Sequence, residues 1–593
     1  MIKRISILSV LVLLTCYLYA APFKNIENKV TQPDGSELIL YSSGDEFYHW
    51  VHDKDGYTIL LGEDGFCYYA QKDQKGKLVP SLFRADKNLP NNAGIDPWIR
   101  ISKEEYLQRT ERLQCLRKTE TRSLLNAPRK EVLNNIVIFI SFPDAQTFSK
   151  KRSVYDTRFN STESTSGSMK DYFQEVSYGK LTVASTFFPK ADLSADNVGY
   201  VDFRERGFYK PYNATTNTDG YKTEEERTNR EHNLLVNAID AMRNAIETTF
   251  TADEVDGDGD GYIDNICFVI QGSSDGWSDL LWAHRWSLYT RECFIHGKRV
   301  LDYVFQPENQ VTTNTLCHEM FHALGSPDLY HYLAAYEHLS PVGDWDIMGS
   351  GWCHMGAYMK WKYAGQQWIT DLPVITTSGT YSLRPLSSSS SENVCYRVNS
   401  TNPDEYYVLE YRKKEGKYEK NLRRSGLLVY RINTTVSQGN RNGLPDEVYI
   451  YRPFGSLVEN GFIDEAAYQT ATGPIITGIT YPKPFLSDNS DGGLRIYNLS
   501  VTDDLLSFDI EITQTGIEDV VAPAKIYVKD NVLIFNTEQQ IAEVVITDLS
   551  GVNILKTVKS NEAISLNDLR KGIYVVTVDL GGNQKIQKKI TVK

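Results

Sequence analysis

HEMFHALGSPD, residues 318–328, carries the donor set of a catalytic metal site on one stretch of helix and the loop that follows it. His318 and His322 are spaced i, i+4, so on an α-helix they lie one turn apart on the same face. That spacing brings two imidazole nitrogens within reach of one tetrahedral ion. Glu319 falls between them, where its carboxylate can face water at the metal without being a ligand. Gly325 lets the chain leave the helix in a left-handed conformation, and Pro327 prevents its resumption. Asp328 follows that turn, placed to swing back as a third ligand. Three protein ligands and a water make a catalytic zinc site, whereas four make a structural one. The bland alternative is a helix with two chance histidines, but the Gly and Asp downstream and a second element argue against it.

The second element is PVGDWDIMGSG at 341–351. A Met in a tight Gly-flanked turn shortly after the third ligand is the Met-turn pattern of metzincin proteases, with Met348 as an apolar floor under the histidines. HExxHxxGxxDLY followed by PVGDWDIM resembles the immune inhibitor A family of secreted bacterial metalloproteases. NIVIFISFPD (135–144), GSMKDYFQEVSYGKL (167–181), DGDGDGYIDNICFVIQG (256–272) and AHRW (283–286) agree, so the likeness spans about 126–370. It implies endopeptidase cleavage of proteins or peptides, with His318, His322 and Asp328 as zinc ligands and Glu319 as the base. Many metzincins place a Tyr two residues after the Met-turn Met, but here that position is Ser350. The side chain that stabilises the oxyanion is therefore unassigned, with Tyr330, His331, Tyr332 and His354 as candidates.

DGDGDGYID at 256–264 sets Asp256, Asp258 and Asp260 at alternate positions, then Asp264, with Gly261 for the sharp turn and the Tyr262 carbonyl at a backbone-ligand position. Hard oxygen ligands on a loop suit calcium rather than zinc. Cys267 stands where an EF-hand has its bidentate Glu, so another segment must complete the shell. The alternative is an acidic solvated turn.

At 593 residues the chain is too long for one domain. Its 41% hydrophobic content allows large cores, and a net charge of −13 excludes a general nucleic-acid binder. Residues 1–20, with Lys3, Arg4 and an apolar ILSVLVLL, read as a secretory signal peptide. Cys16 follows LLT rather than the Gly or Ala usual before a lipidated cysteine. No later segment is long and apolar enough for an integral membrane span. Removal of the signal leaves Cys67, Cys115, Cys267, Cys293, Cys317, Cys353 and Cys395, an odd number for an exported protein. Cys293, Cys317 and Cys353 are placed to bridge near the site, and Cys267 reads as a core residue.

Residues 21–125 show short strands with Asp-Gly turns and resemble the propeptide of the family, a cover for the cleft in a zymogen. There Cys115 is either a thiolate for the zinc or, more simply, a plain cysteine. Residues 126–370 read as a metzincin-like mixed α/β catalytic domain, and 371–515, with SGTYSLRPL, EYYVLEYRKK and SGLLVYRINTT, as a β-sandwich. GIEDVVAPAK marks a linker. Residues 524–593 resemble a type IX secretion sorting domain of Bacteroidota, a receptor-read address that makes the secretion machinery a partner. The whole is a multidomain α+β protein, secreted or on the cell surface. Two other classes fit the same residues: an inactive protease scaffold serving as a surface adhesin or binding protein, and a zinc hydrolase of a non-peptide bond.

Overall fold

The computed structural model describes residues 23–512 apart from 45–47, 89, 91–93, 107, 109–130, 164, 166, 274–282, 334, 335, 337, 365 and 366. It also describes 525–592 apart from 530, 537–540, 542, 549–552, 559–562, 582 and 583. The expected signal peptide at 1–20, Cys16, Cys115 and most of GIEDVVAPAK lie outside the described residues. The chain forms two compact units, Met1–Ile512 and Thr513–Lys593, with mixed α/β content, many sheets and few helices.

The sheet that positions the site is built from apolar runs buried on both faces, the pattern expected of parallel strands. Its strands are β1 (Val132–Ser141), β2 (Thr182–Phe188), β3 (Tyr200–Val201), β4 (Ile266–Ile270), β5 (His284–Ser287) and β6 (Asp302–Pro307). The order is β3-β1-β4-β6-β5, with β2 also pairing β1. All pairs are parallel except β5 with β6, so the last strand of this sheet is antiparallel.

Successive side chains of a strand point to opposite faces, and β1 and β4 feed two cores in this way. Ile136, Ile138, Ile266 and Phe268 meet Leu234, Leu235 and Ile239 of the long helix α2 (Glu224–Thr249). Val137, Phe139, Cys267 and Val269 meet the other side, where α1 (Met169–Val176) contributes Tyr172 and Phe173, and α3 (Thr313–Ala323) contributes Leu316, Met320 and Phe321. The start of α2 is set by Thr223, whose hydroxyl accepts the Glu226 N–H, and three glutamates in its first turn suit the positive end of the helix.

The second of these cores does not stop at the end of the helical region. It continues through Trp345, Met348 and α4 (Ala357–Tyr363) into Val408 and Leu428 of β7 (Glu405–Arg412) and β8 (Gly426–Asn433), and on to Ala467. Both strands are buried along their whole length. Their other faces join a further core shared by two four-stranded sheets.

Residues 23–84 form a six-stranded antiparallel meander. Gly35, Gly56 and Gly65 take the positive φ its Asp-Gly turns need. The meander docks on the central region: Asn213 Nδ2 donates to Gly62 O at 3.0 Å, and Ile26 packs on Ala283 at the start of β5. The second unit has sheets of three and four strands around Leu533, Val544, Ile546, Val576 and Val578.

Cys293, Cys317 and Cys353 do not bridge near the site. Cys67, Cys267, Cys293, Cys317, Cys353 and Cys395 are all free and buried, each filling apolar space as a small side chain does.

Candidate metal centre

α3 begins at Thr312, whose hydroxyl accepts the Thr315 N–H at 3.1 Å. It ends in a Schellman motif: Ser326 N donates to Phe321 O and Gly325 N to His322 O, with Gly325 at φ +102°. This turn reverses the chain, and the segment after it runs back past the helix. His318, His322 and Asp328 are thereby brought together, with one ligand atom from each lying within 4.8 Å of the others. Asp328 Oδ1 is 3.1 Å from His318 Nε2 and 3.3 Å from His322 Nε2. Donors at tetrahedral corners around zinc, with bonds of about 2.0–2.1 Å, stand about 3.3 Å apart.

The protonation pattern also fits a cation. His318 Nδ1 is 2.9 Å from Ile347 O, and His322 Nδ1 is 2.7 Å from Ser326 O. A carbonyl oxygen can only accept, so each Nδ1 carries the hydrogen and Nε2 is the nitrogen left to offer a lone pair to a cation. His318 Nε2 and Asp328 Oδ1 are buried and have no hydrogen-bond partner. Three lone pairs converging out of water repel one another unless a positive ion sits among them. The residues present fit zinc.

The surrounding residues hold this geometry. The Tyr332 hydroxyl donates to Asp328 Oδ2, the oxygen turned away from the histidines. Glu319 sits on α3 next to His318 and is 4% exposed. Met348 is fully buried, its N–H held by Asp346 Oδ1 at 2.8 Å, while its carbonyl accepts Leu329 N, the residue after Asp328. Asp346 Oδ2 takes Gly356 N at 2.7 Å, and burial pushes its carboxyl up to about 6. Ser350 is spent within the turn, donating to Asp344 Oδ1.

Two of the four oxyanion candidates are engaged elsewhere. His331 is buried between Tyr336 O and Asp446 Oδ1, 2.6 Å away. His354 lies between Glu175 Oε1 and Lys360 Nζ. Tyr332 is turned to Asp328, and Tyr330 stacks obliquely on it at 5.1 Å.

In the acidic loop the structure brings Asp256, Asp258 and Asp260 together. Asp264 is not in that group: its Oδ2 accepts Gly257 N at 2.8 Å. Tyr262 N–H donates to Asp260 Oδ1. Asp256 Oδ2 takes the Lys298 ammonium at 2.6 Å, and its Oδ1 is buried with no hydrogen-bond partner. Sequence reasoning missed Lys298, which is 42 residues from its partner and carries no local signal.

Residues 147–360 match the family described as immune inhibitor A peptidase M6, catalytic domain, and 525–593 match the secretion system C-terminal sorting domain. Among curated proteins none matches the chain. Among solved structures, wild-type OgpA from Akkermansia muciniphila is 8% identical, covering 80% of this chain and 96% of that one, with a TM-score of 0.21. Metalloproteinase-II from Bacteroides fragilis is 11% identical, covering 57% and 91%, with a TM-score of 0.20. Scores this low give neither likeness any bearing on fold or chemistry. No helix among the described residues is long and apolar enough to cross a membrane. The matched 147–360 region contains all of the converging His318, His322 and Asp328, and a sorting domain follows it, so the chain carries the catalytic domain of an M6 metallopeptidase and is exported to the cell surface or the medium.

Proposed function

We propose that the chain is a zinc-dependent endopeptidase of proteins, with His318, His322 and Asp328 as the ligands and Glu319 as the general base. The observation that carries this reading is the convergence of two Nε2 atoms and Asp328 Oδ1 at tetrahedral spacing, with both imidazoles locked by carbonyls. Zinc at that point supplies Lewis acidity toward a scissile carbonyl and toward water. Glu319, buried beside His318, accepts the proton of the attacking water and returns it to the leaving amine. Met348 packs in the core beneath the helix, and its carbonyl ties the Met-turn to the ligand segment.

The fold reading is metzincin-like for 126–370, a β-sandwich for 371–515 and a type IX sorting domain for 524–593. Strand β5 ends the sheet antiparallel and packs against α3. The packing of Ile26 on Ala283, at the head of β5, supports a propeptide of a zymogen in 21–125. The Asp256, Asp258 and Asp260 carboxylates, with the unpartnered Asp256 Oδ1, support a structural calcium ion, with the Tyr262 carbonyl and Asp264 as the remaining loop positions.

The test is metal content beside activity. The mature parent should hold one catalytic zinc and digest casein. Glu319→Gln should keep the zinc and lose turnover by about 10²–10⁴-fold or more, whereas His322→Ala should lose the metal itself. A zinc-loaded Glu319→Gln protein that digests casein at the parental rate refutes the mechanism.

A further inference from the structure

We infer that residues 438–441, in the β region beyond the matched peptidase domain, are a clamp that positions the third metal ligand, with Asn440 as the positioning residue. The inference rests on the zinc reading of His318, His322 and Asp328. Those ligands differ in how they are held. The two histidines ride on α3, whose own backbone bonds fix them. Asp328 lies beyond the helix end in a segment without regular structure, so its place is set by whatever bonds that segment from outside.

On one side the Met-turn takes Leu329 N. On the other, the 438–441 loop runs beside the chain. Asn440 N donates to Asp328 O at 3.0 Å, Asn440 Nδ2 donates to Leu329 O at 3.0 Å, and Tyr332 N donates to Arg441 O at 3.0 Å. These three bonds hold the peptide of the ligand, the residue after it, and the tyrosine that bonds its carboxylate. The approach is so close that only glycine fits at 439: a Cβ there would stand 2.0 Å from Asp328 O, and φ is +64°.

The clamp is itself fixed. Asn440 is fully buried, and its amide makes a two-way bond to Val448, Oδ1 taking the N–H at 3.0 Å and Nδ2 giving to the carbonyl at 2.8 Å. Gly439 N donates to Glu447 Oε2 at 2.7 Å, and Glu447 Oε1 receives Tyr358, Lys362 and Tyr363 from α4. The matched peptidase domain ends at 360, so the ligand geometry depends on residues well outside it.

The experiment compares zinc affinity of the full chain by chelator competition. Residues that orient metal ligands from the second layer typically matter by about 10–100-fold, and Asn440→Ala should weaken zinc by that factor. Ile496→Ala opens a hole in the core of the same β region without touching the loop. It should lower the Tm and keep the parental zinc affinity. Parental affinity in Asn440→Ala, or an equal loss in Ile496→Ala, overturns the clamp. If Asn440→Ala does not fold, the parent gives the answer. Coupling is reciprocal, so zinc should slow exchange of the Asn440 amide hydrogen, and identical rates with and without zinc overturn the inference. Failure of the zinc reading looks different: the parent would hold no zinc, or His322→Ala would keep it, and both conclusions would fall together.

Discussion

Tyr332→Phe separates two roles for the tyrosine nearest the ligands. The Asp328 carboxylate divides its work, with Oδ1 facing both Nε2 atoms at 3.1 and 3.3 Å while Oδ2 receives the Tyr332 hydroxyl. The carboxylate is buried, so water cannot replace that donor at once. A hydrogen bond to a charged group contributes about 1.5–3 kcal/mol, and each ~1.4 kcal/mol is tenfold in a binding constant. Zinc should therefore dissociate more readily from Tyr332→Phe by roughly 10–100-fold. The ring survives the change, so its packing on Tyr330 and the Tm of the metal-loaded protein should hold. The assay is chelator competition for zinc, followed by kcat/KM at saturating zinc, where the variant should recover to within about tenfold of the parent. Unchanged zinc affinity together with a kcat/KM lower by about 10²-fold or more refutes the reasoning, since it would mean the hydroxyl leaves Asp328 to serve the substrate oxyanion.

The remaining expectations concern the rest of the chain. Glu231 is buried against His284 Nε2 at 2.9 Å and Tyr303; burial alone would raise its carboxyl, yet His284 draws it down to about 2 from the ordinary 4.5. A depressed carboxylate stabilises the fold fully above pH 4.5 and loses that contribution as pH falls toward 2. The loss is on the order of 3 kcal/mol at about 1.4 kcal/mol per pH unit. Glu231→Gln should flatten the fall of Tm in that window, and an unaltered slope counts against the pair. Millimolar calcium should raise the Tm of chelator-stripped protein, and Asp258→Ala with Asp260→Ala should abolish the rise; a parental melting curve indifferent to calcium removes the site. Truncation after Thr515 should leave an active enzyme that accumulates in the periplasm of its host, and normal delivery of the truncated protein to the surface or medium would make the last module a binding domain instead.

The parts of the site that sequence conveys are those whose spacing matches a local period. His318 and His322 are legible because four residues make one helical turn, and the helix end at Gly325 because a left-handed turn favours glycine. The buried strands are legible because Ile136–Phe139 and Ile266–Ile270 are unbroken apolar runs. Contacts between distant elements leave no such period. His331 and His354 stood beside the motif and looked available, yet Asp446 and Glu175 engage them from 115 and 179 residues away. Tyr332 stood in the same list for a different purpose, and nothing local says that its hydroxyl points at Asp328. A bridge among Cys293, Cys317 and Cys353 failed for a related reason: all six described thiols are free and sit in apolar cores, where packing decides their company.

The same absence of local signal hides how far the metal site reaches into the β region. Strand β7, EYYVLEYR, carries Glu405, Glu410 and Arg412, which on an ordinary half-exposed strand would turn toward water. Here both faces are buried, and Arg412 bonds the Met-turn while Glu410 bonds the start of α4. Arg412 donates through Nη1 to Trp345 O at 2.6 Å and through Nη2 to His354 O, while Glu419 and Glu410 neutralise it. Glu410 Oε2 takes Ala357 N at 2.7 Å and the Tyr430 hydroxyl at 2.9 Å. Ions buried this completely are tolerated only when every charge is matched and hydrogen-bonded. Breaking the contact between the two regions would therefore strand charge in a core as well as expose apolar surface. Met-turn, Asp328 segment and β region are thus parts of one packed body, and the three proposed ligands are held from residues that neither their spacing nor their family motif reveals.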